Sequence, residues 1–73
     1  MMNELEKRFG TLAVEKGFIS KEQLLEALRI QVEQDLDGKR RKPIGSILYQ
    51  LGYISMSQIR EILNLMQKQS SQA

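Results

Sequence analysis

The phrase EKGFISKEQLLEAL at residues 15–28 returns as QLGYISMSQIREIL at 50–63, inside a chain of only 73 residues. Aligning Gly10 with Gly45 sets an offset of 35 residues. That offset pairs Gly17 with Gly52, Ile19 with Ile54, Ser20 with Ser55, Gln23 with Gln58, Glu26 with Glu61 and Leu28 with Leu63. Conservative pairs fill the gaps: Leu12 with Ile47, Phe18 with Tyr53, Leu24 with Ile59. Self-similarity at such a period marks a supersecondary unit that cannot bury its apolar face alone. Two units can bury each other, so the repeat fixes the architecture more firmly than any single motif.

Each matched element has a backbone reason. Gly17 and Gly52 suit the left-handed position that stops a helix. Ser20 and Ser55 then read as N-caps of the next helix, with Gln23 and Gln58 closing S-x-x-Q capping boxes, and Ile19 and Ile54 as staples to Leu24 and Ile59. The pattern predicts helices over about 3–16, 21–36, 44–51 and 56–69. The first carries Leu5, Phe9, Leu12 and Ala13 on one face. Gly10 lies within that pattern at a cost of about 1 kcal/mol relative to Ala, marking a bend or a start. Leu24, Leu25, Leu28, Val32 and Leu36 form the expected core stripe of the second helix, and Ile59, Ile62, Leu63 and Met66 that of the fourth. Between the repeats, DGKRRK combines a helix stop at Gly38 with a charged linker, and Pro43 suits the first turn of the third helix. The expected fold is all-α: a tandem helix-turn-helix repeat, two α-hairpins forming a small four-helix bundle. One domain covers 1–73, with repeat one at about 8–36, linker at 37–42, repeat two at about 43–69 and a frayed tail at 70–73.

Composition removes several alternatives. A domain this small buries a modest core, and with no Cys and no His it has neither a disulfide nor the usual zinc and haem ligands to support it. Self-association or a protein partner remains. The N-terminus lacks the apolar region of a signal peptide, and no apolar run approaches the roughly 18–20 residues of a membrane span. The expectation is a cytoplasmic protein without membrane insertion. Net charge is only +2, and the excess sits in Lys39, Arg40, Arg41 and Lys42 rather than along a helix face, unlike most nucleic-acid binders. A helix-turn-helix reader needs Arg, Asn or Gln near the start of its recognition helix. The second helix opens Lys21, Glu22, Gln23 with an unfavourable carboxylate, whereas the fourth, with Ser57, Gln58 and Arg60, keeps DNA binding as the third-ranked reading.

FGTLAVEKGFISKEQLLEALRIQ and IGSILYQLGYISMSQIREIL, covering most of the chain, resemble the N-terminal domain of type II secretion and type IV pilus assembly ATPases, the MshEN-like or GspE N-terminal-like domain. The resemblance implies an all-helical fold and one of two roles: docking onto a protein of a secretion or pilus machine, or binding cyclic di-GMP through a tandem motif. It carries the first-repeat ligand positions to Arg8, Gly10, Leu24, Leu28 and Gln31. Ala13 and Phe9 stand where leucines are expected. The second repeat keeps Gly45, Leu48, Ile59 and Leu63 but has Pro43 at the arginine position and Met66 at the glutamine position. An anionic dinucleotide needs charge-assisted donors, preferably guanidinium forks, and neither replacement supplies one. Arg40, Arg41 and Lys42, just ahead of the third helix, are the substitutes to test; the plainer reading is a solvated linker balanced by Glu33, Asp35 and Asp37. Gln67 is a second substitute, turned about 100° from the required position.

No catalytic constellation emerges. The phosphate-binding loop G-x-x-x-x-G-K-[ST] is absent, Ser20 and Ser55 have capping roles, and Glu22 and Glu26 are spaced for local ion pairs. The expectation is a non-catalytic interaction or adaptor module without a cofactor, with cyclic di-GMP as the alternative ligand. Ile30 and Leu65 lie opposite the assigned stripes. They are either scattered surface apolar residues or, with Ala27 and Ile62, a patch facing a partner.

Overall fold

A computed structural model describes residues 4–40 and 42–70 and, of their side chains, those up to Lys68. Arg41 and the tail residues 71–73 therefore lie outside the described residues. Four helices follow one another: α1 (Glu4–Glu15), α2 (Lys21–Leu36), α3 (Ile44–Gln50) and α4 (Met56–Ser70). They pack as a small four-helix bundle.

The repeated residues set the repeated ends. Gly17 and Gly52 take φ of 76° and 81°, a region closed to most side chains. Each ends its helix in a Schellman turn: Gly17 and Phe18 N–H donate to the carbonyls of Val14 and Ala13, and Gly52 and Tyr53 N–H to those of Tyr49 and Leu48, all at 3.0 Å. Both capping boxes form. Ser20 Oγ accepts from Gln23 N–H at 3.1 Å while Gln23 Oε1 accepts from Ser20 N–H at 2.8 Å. Ser55 and Gln58 repeat the pair at 3.1 and 3.0 Å. Losing an N-cap hydroxyl costs about 1 kcal/mol. Ser20→Ala and Ser55→Ala are each expected to lower the thermal midpoint by about 4–8 °C, additively in the double variant because the sites are independent. Scanning calorimetry of the three variants checks this; midpoints unchanged from the parent would remove the caps from the account.

The hairpins interlock. α2 packs chiefly on α3 and α1 on α4, with α1 and α3 meeting at the centre, so each long helix lies mainly on the short helix of the other repeat. The core is Phe9 and Ala13 of α1, Ala27 of α2, Ile44, Ile47 and Leu48 of α3, Ile62 and Met66 of α4, and the staples Ile19 and Ile54. α1 runs through Gly10 without a break, and a Cβ there would meet Leu24 Cδ1 at 3.0 Å, so the glycine makes room for α2.

The stripe expected of α2 is corrected. Leu25, Val32 and Leu36 are at least half exposed, and the face turned inward carries Ala27 and Gln31, flanked by the partly buried Leu24 and Leu28. Ala27 is fully enclosed, and Gln31 finds polar partners inside. On the other helices Leu5 and Leu63 are likewise exposed rather than core. Ala27 and Ile62, both 0 % exposed, cannot belong to a surface patch, and Ile30 packs against the core's edge. Leu65 is partly buried.

Candidate functional site

Glu6 of α1, Gln31 of α2 and the start of α3 meet at one carboxylate oxygen. Gln31 is 2 % exposed. Its Nε2 donates to Glu6 Oε2 and to the Lys42 carbonyl, both at 2.9 Å. Glu6 Oε2 also accepts from the backbone N–H of Ile44 at 3.1 Å. The N-cap of α3, Pro43, provides no side-chain hydrogen bond, and Glu6 supplies the missing acceptor from another helix, where a negative charge also suits the helix dipole. Gln31 thus pins the linker and α3 to α1. This is a tertiary cap, and it uses the amide that the dinucleotide reading counted among its ligands.

Of the other first-repeat positions, Gly10 and Leu24 pack together, whereas Arg8 lines a different surface. Gly10 is buried under Leu24. Arg8 lines a shallow depression on the outside of α1, shared with Lys7 but also with the carboxylates of Glu4 and Glu15. Arg40 is exposed in the linker, and Lys42 Nζ donates to Gln50 Oε1 at 3.3 Å. Glu26, expected to pair along its own helix, instead accepts from Tyr53 Oη at 2.7 Å. That bond, with some burial and the carboxylate's charge, holds the Tyr53 phenol above its ordinary pKa. Lys16, just past the end of α1, brings its Nζ within 3.5 Å of Glu61 Oε2 of α4 in an exposed pair.

The second repeat brings its equivalent positions together. Pro43, Gly45, Ile59, Leu63 and Met66, which match Arg8, Gly10, Leu24, Leu28 and Gln31 at the 35-residue offset, all line one open groove of about 630 Å³ between α1, α3 and α4. Its wall is apolar. Leu5, Tyr49, Met56 and Leu63 stand on it at about half exposure or more, above the buried Phe9 and Met66. Gly45 forms part of the floor, and a Cβ there would press on Phe9 Cζ at 3.1 Å. Where repeat one has an amide, repeat two has a thioether; where repeat one has a guanidinium, repeat two has a proline ring. Such a wall takes up apolar side chains and gives little to a phosphate.

The sequence offered partial signals for this site. Pro43 and Met66 were visible as losses of polar function, but not as the gain of an apolar surface. The sequence pattern puts Leu5 and Leu63 in the core, places Met56 only at the start of the fourth helix, and gives Tyr49 no role. Glu6 left no local signal as a cap, since Gln31 and Ile44 are distant from it in sequence. Among the described residues no group of His, Cys, Asp or Glu could hold a metal ion, and no helix is long and apolar enough to cross a membrane. Comparison of the chain with protein families, curated proteins and solved structures finds no match.

Proposed function

We propose that the protein is a non-catalytic interaction module whose docking surface is the α1/α3/α4 groove, accepting the apolar face of a partner's amphipathic helix. The observation that carries this is the clustering of Leu5, Tyr49, Met56 and Leu63 on one concave wall. Large exposed apolar residues scattered singly are ordinary, but gathered in a groove they mark interaction surfaces. A helix in such a groove uses anchors spaced i, i+3 or i+4, i+7. The expected family role of docking an ATPase onto a machine protein agrees with this reading, and the partner is otherwise defined by chemistry alone: leucine-like anchors with polar flanks.

A designed amphipathic peptide with leucine anchors and acidic flanks, titrated into isotopically labelled protein, is expected to shift the resonances of Leu5, Tyr49, Met56 and Leu63. Leu63→Glu should weaken this binding by about tenfold or more, since it places a charge in the apolar centre. Added salt should change it little by comparison. Cyclic di-GMP is expected to leave the spectrum unchanged. Shifts from the dinucleotide centred on Arg8 and Gly10, with the groove silent to the peptide, would replace this reading by the nucleotide-receptor one.

A further inference from the structure

The thioethers of the described residues are gathered in one place. Met56 and Met66, the two methionines among those residues, both line the α1/α3/α4 groove. At the 35-residue offset their counterparts in repeat one are Lys21 and Gln31, so the sulfur belongs to the groove and not to the repeat. The two differ in access. Met66 lies in the floor at 8 % exposure and is part of the core, whereas Met56 stands on the wall at 49 %. Met56 is the first residue of α4, and the capping box there is closed by Ser55 and Gln58 without it. Its side chain therefore serves neither the core nor the helix end.

We infer that Met56 is an oxidation site through which hydrogen peroxide switches the groove off; this rests on the groove being a docking surface. The thioether sulfur attacks one peroxide oxygen and the O–O bond breaks. That oxygen stays on sulfur as a sulfoxide, and the other leaves as water with both peroxide protons, so sulfur loses two electrons and peroxide gains them. A flexible apolar side chain becomes a polar one with a strong acceptor oxygen. The chain has no cysteine, so no thiol of its own competes for the oxidant. Access selects Met56 over the enclosed Met66. The effect falls on docking and not on folding. In the free protein the new oxygen sits on a half-exposed side chain and keeps its water, whereas a docked helix would cover it with apolar anchors that donate no hydrogen bond. Sulfoxide reduction is enzymatic and returns the thioether, which makes the change a reversible switch.

Timed peroxide treatment of the whole protein, followed by mass mapping and by titration with the designed leucine-anchored peptide, tests this. Met56 should gain its oxygen well ahead of Met66. Protein oxidised at Met56 with Met66 intact should bind the peptide about tenfold or more weakly and melt like the untreated protein. Methionine sulfoxide reductases for both epimers should restore the affinity. Met56→Leu keeps the wall apolar and removes the sulfur, so it should bind as the parent does and go on binding after peroxide, whatever happens at Met1 and Met2. Met56→Gln, which sets a polar group there without oxidant, should bind weakly from the start and lose no more on treatment. Oxidation of Met66 ahead of Met56, an affinity unchanged by the sulfoxide, or a Met56→Leu protein that peroxide silences like the parent overturns the inference. An untreated protein that binds the peptide, with an oxidised one that binds it equally well, removes the switch and leaves the docking reading standing. An untreated protein that does not take the peptide removes both.

Discussion

Gln31→Glu is expected to remove most of the folding stability at neutral pH, and acid is expected to restore part of it. The parent amide donates to Glu6 Oε2 and to the Lys42 carbonyl from a site 2 % exposed. A carboxylate there puts like charge against Glu6 and an acceptor against a carbonyl, in a place water scarcely reaches. Setting a buried carboxylate against a carboxylate and a carbonyl costs about 3–5 kcal/mol. A domain of this size has only about 4–11 kcal/mol in total, at roughly 0.05–0.15 kcal/mol per residue. The control is Gln31→Leu, which removes the donors without adding charge and should cost about 1–3 kcal/mol.

The pH dependence separates the two variants. Two carboxylates held together share a proton readily, so the folded pair in Gln31→Glu titrates above the ordinary carboxylate range of about 4. A folded-state pKa raised above the unfolded one gives stability that is present below the unfolded pKa and lost as pH rises through the folded value. Gln31→Glu should therefore gain on Gln31→Leu as pH falls from 7 towards about 4–5. Urea unfolding followed by circular dichroism measures both. Equal stability of the two variants at pH 7 would mean that Gln31 does not hold Glu6, and the tertiary cap would have to be abandoned.

What the sequence made legible was mostly what short-range chemistry decides. Ser20, Gln23 and Gly17, and their counterparts Ser55, Gln58 and Gly52, placed the helix ends within a residue or two, because caps and Schellman turns are closed by residues adjacent in the chain. The repeat gave the all-α class because two half-cores need each other. The rotation of α2 was not legible. Its leucines and valine suggested one wide stripe, but Val32 lies five residues beyond Ala27, about 140° further round, and both cannot face the same neighbour. Packing against the other helices decides it by enclosing Ala27, and Glu6 and Lys42 help to make Gln31 a good interior residue. Hydrophobic spacing registers apolar faces without saying whether the facing surface belongs to the same molecule. The groove residues Leu5 and Leu63 were misassigned for the same reason.

Leu48→Ala against Leu36→Ala tests that distinction on one side chain. Leu48 is 0 % exposed and Leu36 80 % exposed, yet each is a leucine within a helical apolar pattern. α3 has seven residues, about 10 Å of helix, far too short to persist alone. It forms because Ile44, Ile47 and Leu48 fill the centre of the bundle, where they are three of the largest fully enclosed side chains. Truncating Leu48 should cost about 2–5 kcal/mol and lower the thermal midpoint by about 4–8 °C for each of them, at any protein concentration. Leu36→Ala should stay within about 0.5 kcal/mol of the parent, its helix propensity scarcely altered. Calorimetry at low concentration compares the two, and similar losses would contradict the placement of α2.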